Sequence, residues 1–217
     1  AAAITKTSYA ADSKTLTGTF SLEAGTWNRL AATADVSTPV TADGSVRTRF
    51  VVQAYDQKSF VDYESTDGYL VYAVLDADLG ENTVLSAGAS YQSDQRHDIL
   101  WGQLPYWFSD GSRTNWDRSK TTGTDWNEWN TSNTNAFVML KHDLGAGWSL
   151  QGDVGYHRQV ENSKLLFTWD LPDPVTGEGM GAGSYWYNAE PEQYNVNVIA
   201  KGPFSLFGRE HELVTGF

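Results

Sequence analysis

Side chains alternate apolar and polar through most of this chain, and that period of two constrains its fold more than any other feature. Successive side chains of a strand point to opposite faces, so the alternation sorts each segment into an apolar and a polar side. Leu16, Gly18, Phe20, Leu22 and Ala24 oppose Thr17, Thr19, Ser21 and Glu23. Leu30, Ala32, Ala34 and Val36 oppose Arg29, Thr33, Asp35 and Ser37, and Val46, Phe50, Val52 and Ala54 oppose Arg47, Arg49, Gln53 and Tyr55. Tyr69, Val71, Ala73, Leu75, Ala77 and Leu79 face away from Tyr72, Asp76 and Asp78. The pattern returns over Leu85–Tyr91, Ala136–Leu144, Trp148–Tyr156 and Tyr194–Ala200, and a ninth strand begins near Glu210. No run of eighteen apolar residues exists, so no transmembrane helix is expected. That leaves membrane strands open, because they carry a weaker signal per segment.

The connections alternate too. Short turns are expected at Pro39–Gly44, Gly80–Asn82, Gly145–Gly147 and Gly202–Arg209. Longer loops are expected at the other end, over Ser59–Thr66, Arg96–Thr131 and Glu161–Gln193, with the short Gly25–Asn28 turn as an exception. Short turns at one end and long loops at the other describe the wall of an outer-membrane barrel. Aromatics at the ends of apolar faces (Tyr69, Tyr91, Trp148, Tyr156, Tyr194) suit interfacial girdles. The competing fold is a soluble antiparallel sandwich, which also alternates. The many alanines of the apolar face would fill a sandwich core poorly, and the opposite face reads as polar over the full strand length, as a watery lumen requires. The expectation is an all-β, antiparallel transmembrane wall.

Five of the nine tryptophans lie between Arg96 and Thr131: Trp101, Trp107, Trp116, Trp126 and Trp129. Indole supplies a large, stiff contact area with one polar handle, and long loops in compact domains are usually functional, so this loop reads as a ligand surface. A formal net charge of −12 argues against nucleic acid as a partner. There is no cysteine, and His97, His142, His157 and His211 are dispersed, so no metal site is expected. Asp76 with Asp78, and Glu190 with Glu192, read as lumen or loop solvation. No phosphate loop or nucleophile motif is present, so no catalytic residue is expected.

Trp101-Gly102-Gln103-Leu104-Pro105, then Ser109-Asp110-Gly111-Ser112-Arg113-Thr114, then Trp126 and Trp129, resemble the TonB-dependent ferric-siderophore receptors, in the branch that takes pyoverdine, coprogen and pseudobactin. Gly25-Thr26-Trp27-Asn28-Arg29 and Ser59-Phe60-Val61-Asp62-Tyr63 support the resemblance, which runs from about Thr15 onward. It implies a wall of about eight to nine strands out of a barrel of about twenty-two. Residues 1–14 would then be a plug-to-barrel linker or the start of a fragment, and 15–217 a partial barrel without its plug domain. It implies location in the bacterial outer membrane, contact with outer-membrane lipid and lipopolysaccharide, and a need for the remaining strands. It implies energy coupling through TonB by way of the plug, and a ferric siderophore that carries its own iron, so that no protein cofactor is needed. The expected siderophore contacts are Trp101, Leu104, Tyr106, Trp107, Trp126 and Trp129, with Tyr63, Trp186 and Arg113. Arg96 and Arg118 could also complement an anionic ferric complex. Trp27, Trp148 and Trp169 read as girdle or strand residues. A self-contained small barrel acting as enzyme or adhesin, and a soluble carbohydrate-binding sandwich, stand as the alternatives.

Overall fold

A computed structural model describes residues 13–102 and 104–217. Most of the expected linker over residues 1–14, and Gln103 of the tryptophan–glycine motif, lie outside the described residues. The strands are β1 (Thr17–Ala24), β2 (Leu30–Pro39), β3 (Val46–Lys58), β4 (Ser65–Asp78), β5 (Thr83–His97), β6 (Glu128–Gly145), β7 (Trp148–Trp169), β8 (Gly181–Ala189), β9 (Glu192–Leu206) and β10 (Arg209–Gly216). All join one antiparallel sheet, in the order β1 to β7, then β9 and β10, with β8 also on β7. No second sheet packs on it among the described residues, so the sandwich has no counterpart.

Register explains how the faces sort. Leu75 stands opposite Ala87, Ala87 opposite Val138, Val138 opposite Val154 and Val154 opposite Val196, so one apolar row crosses five strands. This face is bare: Phe50, Val138, Val154 and Val196 are each more than half exposed. The buried apolar side chains among the described residues are few: Ala31, Leu70, Val74, Ile99, Leu165 and Pro172. A water-soluble domain of this size would bury far more. The exposed face is therefore the lipid face of a membrane wall. From Tyr69 to Leu79 the band covers ten residue steps; at about 3.3 Å each and a tilt of about 45° it stands about 23 Å tall, close to the height of an outer-membrane apolar belt. Paired tyrosines border it, Tyr69 with Tyr91 at 5.8 Å and Tyr156 with Tyr194 at 5.1 Å between ring centroids. At the other border the Trp148 indole covers Gly202, where even a methyl group would sit 2.1 Å from a ring carbon.

The opposite face is concave, around a space of about 800 Å³ lined by Thr33, Arg49, Gln53, Gln92, Asn135 and His157. Neighbouring strands join across it through Arg49–Asp35 at 2.6 Å and the two-pronged Arg47–Asp78 pair at 2.6 and 2.8 Å. The expectation of an unbroken polar face is corrected here. Leu70 and Val74 on β4 point inward and are buried, and Phe137 and Met139 on β6 line the same space.

Two long connections are also redrawn. The expected loop over Glu161–Gln193 is mostly hairpin: β7 runs 22 residues, and β8 pairs with its outer half from Glu161↔Ala189 to Trp169↔Gly181. β9 pairs with the inner half, from Ser149↔Lys201 to Arg158↔Glu192. Both pairings keep one register, and the Gln159 amide still donates to the Pro191 carbonyl at 3.1 Å, so β8 and β9 form one strand interrupted only at Glu190 and Pro191. Proline cannot return the hydrogen bond, which breaks the ladder without shifting it. The turn expected at Gly202–Arg209 shrinks to Phe207-Gly208, both at positive φ (53° and 72°), the pattern of a type I′ hairpin.

The short turn after β2 is held by Asp43. The Ser45 amide and hydroxyl donate to its Oδ1 at 3.1 and 2.8 Å. The Thr41 hydroxyl, then the Ser45 groups, draw its pKa down to about 2. A depressed carboxylate stabilises above the ordinary range and loses that contribution as pH falls through its folded value. Protection of the Ser45 amide from hydrogen exchange is therefore expected to decline as pH drops from about 4 toward about 2. Asp43→Asn should abolish the dependence; an unchanged pH profile in the variant would refute it.

Candidate site at the loop crown

Residues 98–127 join β5 to β6, so the tryptophan loop is narrower than Arg96–Thr131 and Trp129 belongs to β6. Its two ends close on each other. The Asp98 amide donates to the Asn127 carbonyl at 2.7 Å, and the Asn127 side-chain amide donates to the Ile99 carbonyl at 2.9 Å. The Thr124 hydroxyl donates to Asn127 Oδ1 at 2.8 Å. Asn127 is 2% exposed, so these bonds are made away from water, where leaving one unmade costs most.

Beyond this neck the loop carries structure of its own. Trp107 and Arg113 form an isolated antiparallel bridge. The Thr114 amide donates to the Tyr106 carbonyl at 2.9 Å, and the Thr114 hydroxyl and Trp116 Nε1 both donate to the Pro105 carbonyl at 2.8 Å. Asp110 shapes the tip by accepting from the Ser112 hydroxyl at 2.6 Å and amide at 2.8 Å, which holds its carboxyl below the usual range. The aspartate-glycine-serine string is thus a turn, and the polar handle of Trp116 is spent inside the loop.

The loop reaches both neighbours. Trp101 wedges edge-on between Phe167 and Tyr185 of the β7–β8 hairpin, at 5.5 and 5.2 Å between centroids. The Ser109 amide donates to the Pro172 carbonyl at 2.9 Å. On the other side, the Asp62 amide donates to the Ser119 carbonyl at 2.9 Å and the Ser119 hydroxyl donates to Asp62 Oδ2 at 3.1 Å. The Arg118 guanidinium lies 4.8 Å from the Phe60 ring centroid, and Phe60 leans on Trp27 at 6.3 Å. Trp27, expected as a girdle or strand residue, sits in the β1–β2 turn at positive φ.

The expected contact residues therefore divide. Tyr106, Trp107, Arg113 and Trp126 are exposed on the loop, and Tyr63 stands exposed (81%) in the β3–β4 loop. Leu104 and Trp129 are half-buried. Trp101 is an anchor of the loop, its ring turned to the hairpin. Trp186 is set apart: it stands over Lys164 at 5.9 Å, and Lys164 pairs with Glu128 at 2.7 Å, on the face opposite Tyr185 and Trp101. Asn127, Phe60, Phe167 and Tyr185 were missed by the sequence reading. Leu165, Phe167 and Trp169, like Gly183, Tyr185 and Tyr187, do alternate at period two, which is the signal that could have found the hairpin.

Beside the β3–β4 loop a second concavity of about 790 Å³ is lined by Arg29, Tyr55, Gln57, Lys58, Glu64 and Arg96. Burial lifts the Glu64 carboxyl above its usual range, opposed by Arg96. Arg96, Arg113, Arg118 and Lys120 make no ion pair among the described residues, so the crown presents cations beside aromatic rings although the chain is acidic. Such a surface suits a flat, negatively charged ligand.

No protein-family model matches the chain. Curated relatives do. The chain is 36% identical over 194 residues to the ferric-pyoverdine BN7/BN8 receptor of Pseudomonas putida, covering 89% of this chain and 24% of that protein. It is 32% identical over 205 residues to the ferripyoverdine receptor of Pseudomonas aeruginosa, covering 92% of this chain and 24% of that protein. The crystal structure of the Pseudomonas aeruginosa outer-membrane ferripyoverdine receptor bound to ferripyoverdine superposes with a TM-score of 0.88 at 30% identity, covering 94% of this chain and 27% of that one. The chain thus spans about a quarter of the length of the curated relatives it matches.

Proposed function

Because the chain belongs to the family of ferric-pyoverdine receptors, we propose that it is wall and crown of an outer-membrane receptor that captures a ferric siderophore. The observation that carries this reading is the crown loop itself: exposed Tyr106, Trp107 and Trp126 share it with Arg113, Arg118 and Lys120, which make no ion pair among the described residues. A ferric siderophore brings its iron already chelated, so such a crown has only to supply rings for the organic frame and cations for net negative charge. No grouping of His, Asp and Glu that could hold a metal occurs among the described residues. Uptake would need energy coupling through TonB and an occupant of the concave face, with outer-membrane lipid against the apolar face. Within the set of expected contacts, Tyr106, Trp107, Trp126 and Arg113, with Tyr63, Leu104 and Trp129, belong to capture. Trp101 acts by holding the loop, and Trp186 falls outside.

Tryptophan fluorescence of the protein in detergent, titrated with ferric pyoverdine and ferric coprogen, tests this. Saturable quenching is expected, with Trp126→Ala weakening affinity by at least about 30-fold, the threshold of a binding hot spot. Trp186→Ala should leave affinity unchanged. No saturable response to either complex would sink the receptor reading.

A further inference from the structure

Trp186 stands apart from the crown loop and is 75% exposed on the outer side of β8. β7 keeps one register with β6 from Ser149 to Lys164, so Asn162 and Lys164 stand on the face that carries Val154 and Tyr156 lower down. Two rows cross β6, β7 and β8 on that face. Asn130, Asn162 and Asn188 stand directly opposite one another, and Glu128, Lys164 and Trp186 do the same two residues farther up. Lys164 lies eight residues above Tyr156, at the border of the apolar band; at about 3.3 Å each and a tilt of about 45° that is about 19 Å. The indole is therefore too high to belong to the interfacial girdle.

We propose that these two rows bind an uncharged sugar unit in the head group of the outer-leaflet glycolipid. The proposal rests on the outer-membrane placement of the wall and stands apart from siderophore capture. Each asparagine amide offers donors and an acceptor together, the complement of neighbouring sugar hydroxyls. Trp186 adds a flat apolar platform, with the Lys164 ammonium 5.9 Å from its ring centroid, for the carbon–hydrogen face of a sugar ring. Lys164 pairs with Glu128 at 2.7 Å, so the upper row has no net charge to attract phosphate. With strands about 4.8 Å apart and rows about 7 Å apart, the patch measures about 10 by 7 Å, the footprint of one or two sugar rings. It is continuous with the lipid face. A glycolipid whose acyl chains lie against Val138 and Val154 would carry its hydrated head past Asn162 to Trp186.

Trp186 fluorescence, taken as the difference between the protein and its Trp186→Phe variant, tests this with acrylamide as quencher. Vesicles of lipopolysaccharide with an intact core are compared with vesicles of lipid A alone. A sugar ring stacked on the indole covers one of its two faces, so quenching is expected to be about twofold weaker in the intact-core vesicles. Removing phosphate from the core should leave that protection in place. Asn162→Ala combined with Asn188→Ala should remove it, whereas passive shielding by a crowded sugar layer would survive the change. Equal quenching in both vesicles, protection that survives the double variant, or protection lost with the phosphate would overturn the proposal. Protection seen only in native outer membranes would overturn it too, because a neighbouring protein would then cover the rows. Protein that captures no ferric siderophore, yet shows the protection, would keep the sugar site and remove the receptor reading.

Discussion

Val138→Arg is expected to keep the protein from accumulating in the outer membrane, whereas Met139→Arg, one residue along, is expected to be tolerated. Val138 lies in the middle of the exposed apolar row and is 51% exposed. In water an arginine there would be harmless, even favourable. Against hydrocarbon it costs about 2–4 kcal/mol at the bilayer midplane, roughly a 30- to 1000-fold loss of folded population. Met139 faces the concave side and is paired directly with Asp153, so a guanidinium there gains a carboxylate neighbour. Abundance in the outer-membrane fraction and resistance to added protease would be compared for the two variants. Equal tolerance would mean that the exposed face does not meet lipid, and equal loss would mean that the concave face is closed to charge.

The second large effect belongs to Gly102. It sits at φ +107°, beyond the left-handed helical region, with Phe167 2.9 and 3.1 Å from where a β-carbon would go. A β-branched side chain meets both obstacles, backbone strain and a ring, and strain alone costs about 1–3 kcal/mol. Gly102→Val should therefore pull Trp101 out from between Phe167 and Tyr185 and free that end of the loop. Siderophore affinity is expected to fall about 10- to 100-fold, while accumulation in the membrane stays normal because the residue lies above the apolar band. Ferric-pyoverdine binding to isolated outer membranes measures the first quantity and immunoblotting the second. Normal affinity in the variant would mean that the Trp101 wedge does not position the crown.

Within the membrane the sequence was easy to read, because hydrocarbon on one side and a polar space on the other impose strict alternation. Each expected apolar face lies on a strand, with Leu16 and Leu79 just beyond the ends of β1 and β4, and the strand expected near Glu210 starts at Arg209. Above the membrane that contrast disappears. β7 and β8 have water or protein on both faces, so Lys164 and Trp186 occupy the side that would be apolar lower down. With Pro191 and the glycines near Gly177 added, a paired hairpin looked like a loop. The inward Leu70, Val74, Phe137 and Met139 escaped notice for a related reason: an apolar residue on the more polar face of a strand reads as noise. For the crown, composition marked the right loop but could not separate a ring that anchors, such as Trp101, from rings left exposed, such as Tyr106 and Trp107. That distinction depends on Phe167 and Tyr185, which are distant in sequence.

The unbroken register of β7 with β8 and β9 has one more consequence. A strand that runs from lipid to crown in a single register links the two environments by parity. Inserting one residue in β7 between its lipid-facing part and Lys164 would turn Leu165, Phe167 and Trp169 outward and bring Lys164 and Leu166 in beneath the loop. Only insertions of two residues in each arm, or changes confined to the tip around residues 170–180, preserve both faces. The height of the hairpin can thus change only in discrete steps. A lineage altering its ligand range has free choice of sequence at the tip, but only even-numbered choices of length below it.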